Sequence, residues 1–528
     1  MKTKSIIIYL TLAVSGLLAS CSDSFLDRPA LSVVSSNNFY KTSADLQKAT
    51  ASLYSGGIWG AWTSECYLPI GEVLGGNMVL GYNGGAVELN TFSLNGYNGN
   101  LITEWRTMYN LIAHANTTIH AIEELAADDI PKRDVNAALA EAKFMRAYAY
   151  FALTRLWGDV PIIADSRDLF DNPLVYRNHA TDVYTFIAND LTFARKNLPV
   201  TGDAWTKGRV TTWSAQGLLS KVYLTWAGLN QSGTRDQALL DSAKLYAGNV
   251  CESGLSLLTD YADVFKYENN DNEESLFALQ WPTNGGGWYN GNMLQLYSNA
   301  LIINGGGGYF GIEVTYDMYL QYDENDLRRK ATFMYKDDVY PELNTNLNGL
   351  KFTGNSGLKK HIIGNEKDLN LPLMTNTASP EHTILLRLAD IYLVYVESVL
   401  GNNAATSDGK ALGYFNQIRT RAGLDPVSSV TETSLFKERR IELAAEGEYW
   451  FDVVRLSYYN PSKALELLNG GENRRAPIEI DSETREVTPG DSYGVITPAT
   501  INSFKLPVPS SEVTANPLLL EPAVPYSF

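Results

Sequence analysis

Residues 137–161, AALAEAKFMRAYAYFALTRLWGDVP, constrain the fold of this chain more than any other stretch. No Gly or Pro interrupts them before Gly158, so a helix of about twenty residues can run through. Phe144, Tyr148 and Phe151 recur at i, i+4 and i+7 as one aromatic stripe, while Ala140, Ala142, Ala147, Ala149 and Ala152 keep the rest of the cylinder thin. Charges are few (Glu141, Lys143, Arg146, Arg155), so the helix is packed on several sides instead of lying over a core by one face. Gly158 supplies a left-handed cap, and Pro161 keeps the helix from resuming.

Small residues interleaved with aromatics let helices approach closely, as in tetratricopeptide-type helix pairs. RVTTWSAQGLLSKVYLTWAG (209–228) has the same alternation, through Ala215, Leu218, Tyr223 and Trp226, although no strict repeat period survives. The spacing predicts further helices over 105–125, 183–198 and 235–252, and a C-terminal set over 384–402, 411–424 and 436–456. Two regions break this regime. Residues 56–100 and 268–379 are rich in Gly and Asn and carry scattered Trp and Tyr, the composition of loops with short strands. The expected architecture is mostly α: a tetratricopeptide-like helical-pair scaffold over about 37–55, 101–265 and 380–460, loop-rich regions over about 56–100 and 266–380, and an irregular 461–528.

The first twenty residues address the chain. Lys2 and Lys4 precede an apolar run from Ile6 to Leu18 that is too short to span a bilayer, followed by Leu18-Ala19-Ser20-Cys21. Small residues directly before a Cys mark a lipoprotein cleavage site, so 1–20 reads as a signal peptide and Cys21 as the lipidated N-terminus of an anchored, non-spanning protein. Formal charge is −17, and −19 without residues 1–20, which argues against nucleic acid as a partner. Cys66 and Cys251 remain; nothing in the sequence places them close, so their pairing stays open.

No enzyme, cofactor or metal signature holds up. Gly306 to Gly311 satisfies GxGxxG but lacks the surrounding parallel βαβ unit. Glu438, Glu442 and Glu446 share a helix face with Arg439 and Arg440 beside them, which reads as a salt-bridge ladder before it reads as a pair of glycosidase carboxylates. Asp323 to Asp326 lacks the Gly and distal Glu of a calcium loop and reads as solvated. The five histidines form no HExxH, and no CxxC is present. The loop aromatics are the better lead. Sugars present apolar C–H faces ringed by hydroxyls, so a site for them wants flat rings beside polar groups. Trp59, Trp62 and Tyr67 with Glu72 and Asn77, and Trp281, Trp288, Tyr289 and Tyr309 with Asn284, Asn290 and Asn292, supply that mixture. Each of these rings can instead anchor its loop over the helical core.

Several stretches resemble one family. EAKFMRAYAYFALTRLWGDVPII (141–163), the N-terminal FLDRPALSVVSSNNFYKTSADLQKATASLY (25–54), TYDMYLQYDENDLRRKATF (315–333), the three C-terminal helices and the closing run from Lys505 to Pro517 are similar to the SusD/RagB nutrient-binding lipoproteins of Bacteroidetes. The resemblance implies a SusD-like fold, lipid anchoring on the outer face of the outer membrane, capture of a glycan without catalysis, and delivery to a TonB-dependent SusC-like transporter. It also leaves a peptide-binding lid of an oligopeptide transporter as an alternative. A surface glycoside hydrolase is the further one.

Overall fold

A computed structural model describes residues 39–81, 84–201, 207–282, 289, 291–298, 311–365, 367–368, 379–471 and 473–528. The predicted Cys21, Trp288 and Tyr309, and most of the GxGxxG run, lie outside these residues. The helices used below are α1 (Ser43–Ala51), α2 (Gly56–Trp62), α3 (Gly99–Leu125), α4 (Lys132–Trp157), α5 (Ala180–Asn197), α6 (Thr212–Trp226), α7 (Gln237–Cys251), α8 (Leu388–Leu400), α9 (Gly409–Arg421), α10 (Glu432–Glu442) and α11 (Tyr449–Ser457). Strands are short: β1 (Met78–Val79), β2 (Ser275–Leu279), β3 (Glu313–Val314) and β4 (Thr383–Arg387) are the ones that matter here.

Helix α4 is the hub. It packs on α3 and α5, with further contacts to α1, α6 and α11, and its residues from Ala138 onward are almost all buried. Gly158 ends it at φ +72, donating its N–H to Thr154. From α3 to α9 each helix packs on the next in sequence, α7 reaching α8 across the whole second loop-rich region. This is the helical-pair scaffold expected from the small/aromatic alternation. No helix among the described residues is long and apolar enough to cross a membrane.

Three expectations are corrected. Residues 56–73 are not loop: α2 continues directly into two π-helical stretches, Thr63–Tyr67 and Pro69–Val73. The wide helical turn tolerates the glycines because Gly60 and Gly71 are sites of backbone-to-backbone contact, where a Cβ would meet Tyr289 O at 1.8 Å and Gly447 at 2.3 Å. The start of the predicted helix 384–402 is strand: β4 pairs antiparallel with β2, and the helix begins at Leu388. The predicted helix 436–456 is two helices. Ala445 and Gly447 adopt φ +64 and +72, and the carbonyls there are taken by tertiary donors: Arg387 on Glu442 O, Lys360 Nζ on Ala444 O and the His361 ring on Ala445 O.

The break sits in a buried ionic cluster. Arg387 is 1% exposed and binds Glu274, Glu442 and Glu446; Arg328 binds Asp326, Glu438 and Glu442; Arg421 reaches Glu274 and Glu442. The three glutamates of the ladder are therefore ion-paired inside the protein. Despite burial, the flanking guanidinium groups hold Glu442 and Glu446 below the usual carboxylate range. Asp326, read as solvated, is buried and closes on Arg328 at 2.7 Å. Cys66 and Cys251 are both free, buried thiols.

Candidate functional site

The two loop-rich regions meet along a seam. Strands β1 and β3 pair antiparallel, with Met78 opposite Val314 and Val79 opposite Glu313. Thr315 N–H donates to Asn77 O, its hydroxyl donates to Gly76 O, and Tyr297 OH donates to Ser64 O at 2.6 Å. At the outer end of the seam Tyr289 OH donates to Glu65 Oε1 at 2.7 Å.

Most of the predicted site residues lie beneath this seam and not on it. Trp59, Trp62, Tyr67 and Trp281 are 0%, 6%, 5% and 5% exposed. Their donors are spent internally: Trp59 Nε1 on Leu53 O, Trp62 Nε1 on Glu104 Oε2 at 2.6 Å, Tyr67 OH on Ile384 O, and Trp281 Nε1 on Thr383 Oγ1. Trp59 and Trp62 meet edge-to-face at 5.4 Å, and Trp62 and Tyr67 lie 5.5 Å apart. Asn77 is fully buried, giving its amide hydrogen to Glu72 and accepting from Arg440 Nε. Asn292 is likewise buried, bonded to Glu381 O and Leu294 N–H. A ring packed on all sides with a satisfied N–H offers no face to a sugar, so these residues anchor the two regions to the core.

Tyr289 is different. It is 39% exposed, and its backbone is held in the left-handed region at φ +66, where a bulky residue is an outlier. Three contacts keep it there: the Glu65 carboxylate on its phenol, Met293 S on its N–H, and the bare Cα of Gly60 against its carbonyl. The Glu65 hydrogen bond pushes the phenol up to about 12. Glu65 is itself fixed, its Oε2 accepting from the Thr103 hydroxyl of α3 at 2.9 Å. Strain held by several contacts at an exposed aromatic is what a pre-organised platform looks like. Glu65 and Gly60 were not singled out from the sequence; their role exists only once residues 224 positions apart are brought together.

Glu104, below Trp62, is the other unusual group. Burial pushes its carboxyl up to about 7 against the hydrogen bonds from Trp62 and Cys66, and Arg155 adds only a weak opposing pull. A cavity of 20 Å³, room for one water, adjoins it between Tyr67, Tyr148 and Arg155. A cleft of 1160 Å³ elsewhere is walled by Tyr267, Lys330, Tyr340 and Lys359; Lys266 pairs there with Asp263, Lys359 with Glu342 and Lys360 with Glu446, while Lys330 lies over the Tyr340 ring at 5.4 Å.

Comparisons with known proteins place the scaffold. Residues 258–523 match the SusD family, and residues 76–224 match a family described as starch-binding and associating with the outer membrane. A SusD-like protein of Bacteroides ovatus is 38% identical over 100% of this chain and 99% of its own. A structure solved with xylogluco-oligosaccharide superposes with a TM-score of 0.83 at 38% identity, over 92% of this chain and 99% of that one. Surface glycan-binding protein A from Bacteroides thetaiotaomicron, solved with laminarihexaose, shares the fold at 20% identity, with a TM-score of 0.70 over 90% of this chain and 98% of that one. The mostly α-helical chain described here belongs to the SusD family.

Proposed function

We propose that this protein binds oligosaccharide at the seam around Tyr289, on the outer face of the outer membrane, and passes it to a TonB-dependent SusC-like transporter. The similarity to the structure solved with xylogluco-oligosaccharide, over nearly the whole of both chains, carries the proposal. Tyr289 supports it from within this chain: it is a predicted site residue that is both described and substantially exposed, and its ring is held rigidly enough to stack without further ordering cost. The chemistry is non-covalent. The ring takes an apolar sugar face, and polar groups along the seam take hydroxyls. The carboxylates that suggested hydrolysis are buried and engaged with Arg328, Arg387 and Arg421.

The anchor completes the proposal: lipid on Cys21 holds the protein to the membrane. Native electrophoresis through gels containing different polysaccharides tests binding directly, with peptides assayed by calorimetry alongside. Retardation by a glycan is expected. Heat on peptide addition without any retardation would move the ligand class to peptide. Mass analysis of the N-terminal fragment tests the lipid, and co-purification from native membranes tests the transporter.

A further inference from the structure

We infer that the seam around Tyr289 selects uncharged glycans, and that Glu65, fixed against the Tyr289 phenol, is the residue that enforces the selection; this rests on the glycan-binding reading above. The stretches that carry Glu65 and Tyr289 are without cations. Residues 49–105 contain no Lys, Arg or His, and residues 267–327 contain none either, in a chain with 42 Lys and Arg. Residues 275–312 carry no charged side chain of either sign. A site for a uronate or a sulfate ester needs fixed cations to offset the water stripped from the ligand's anion. Every charged side chain in these two stretches is acidic.

The charge that is fixed at Tyr289 is negative. Glu65 is half-buried and bonded through both oxygens, to Tyr289 at 2.7 Å and to Thr103 at 2.9 Å, and among the described residues it forms no ion pair. Arg106, one turn along α3, faces Glu512 at 3.6 Å. The other carboxylates of the first region are turned elsewhere: Glu72 to Asn77 and Gly447, Glu88 to Asn98, Glu104 to Trp62. A sugar stacked on Tyr289 therefore has a carboxylate at the ring's edge. Its remaining lone pairs accept from sugar hydroxyls, whereas an acidic substituent at the same position meets a like charge that no ion pair neutralises among the described residues. At separations of about 4–6 Å in partly solvated surroundings this repulsion corresponds to about a tenfold loss of affinity.

Matched ligands test the inference: a xylogluco-oligosaccharide against the same compound oxidised at its primary hydroxyls to uronates, and laminarihexaose against its sulfated form. Calorimetry with the purified protein should find the charged member of a bound pair about tenfold weaker at low salt. The ratio should shrink at about 0.5 M NaCl, where exposed charges are screened, and shrink again in Glu65→Gln, which keeps an acceptor for the phenol but removes the charge. A merely structural role for Glu65 would weaken both members together and leave the ratio standing. Equal or tighter binding of a charged member, or a ratio indifferent to both salt and Glu65→Gln, overturns the inference while leaving glycan binding intact. Failure of every glycan, neutral or charged, overturns the glycan-binding reading and this inference with it.

Discussion

Glu104 is a carboxyl held in the core by one indole N–H and one thiol, without a close cation. Its folded-state value of about 7 lies above its ordinary 4.5. The sign follows from linkage: the stability it contributes is fully present below about 4.5 and is lost as pH rises through about 7. The difference amounts to about 3 kcal/mol between acidic and alkaline solution. Glu104→Gln keeps an acceptor for Trp62 and removes the charge, so denaturant unfolding should show a variant more stable than the parent at pH 8 and with a flatter pH profile. An unchanged profile would mean the carboxyl titrates normally. At the surface, Gly60 makes room for the Tyr289 carbonyl, and a methyl there would lie 1.8 Å from it. Gly60→Ala should therefore cost glycan affinity tenfold or more by displacing the platform, with the thermal midpoint falling only a few degrees. Full retention of affinity would show that Tyr289 is not the contact.

Among the elements, the seam depends on backbone touching backbone. Gly71, in the second π-helical stretch, meets Gly447 at the break between α10 and α11, and Gly71→Ala would place a Cβ 2.3 Å from that backbone. Forcing the two segments apart should cost about 1–3 kcal/mol, read as a lower midpoint in urea. These elements also mark where the sequence was informative and where it was not. Helix α4 could be read directly because its periodicity, its alanines and Gly158 all agree. The π-helical run at 63–73 could not: glycines that signal a loop locally are there for close contacts whose partners lie hundreds of residues away. The break at Ala445 was hidden for the same reason, since Arg387, Lys360 and His361 take its carbonyls from outside. The aromatic composition of the two regions does not say which ring faces in. Trp59, Trp62, Tyr67 and Trp281 found donors' partners in the core, and Tyr289 stayed at the surface because Glu65 and Gly60 hold it there.

The molecule as a whole ties its helical scaffold to the seam-forming regions through a buried ionic cluster. Arg387 joins β4 to Glu274 ahead of β2 and to the α10–α11 break, so it ties the second region to the C-terminal helices. Arg387→Met would leave Glu274, Glu442 and Glu446 short of a partner in the core. A loss of about 3–5 kcal/mol is expected in chemical denaturation, because removing one member of a buried ionic cluster strands the others. Little change would mean that Arg421, Arg328 and Lys360 suffice to neutralise them. The family relationship could be read from the packed helices; the seam could not, because it is assembled from residues that no single stretch contains. The proposed glycan site lies at that seam. The most direct measurement is the affinity of Tyr289→Ala, relative to the parent protein, for a neutral oligosaccharide the parent binds, measured by calorimetry with the fold checked by circular dichroism. Truncating a rigid aromatic anchor should weaken binding tenfold or more. An unchanged affinity in a folded variant would contradict the placement of the glycan at the seam.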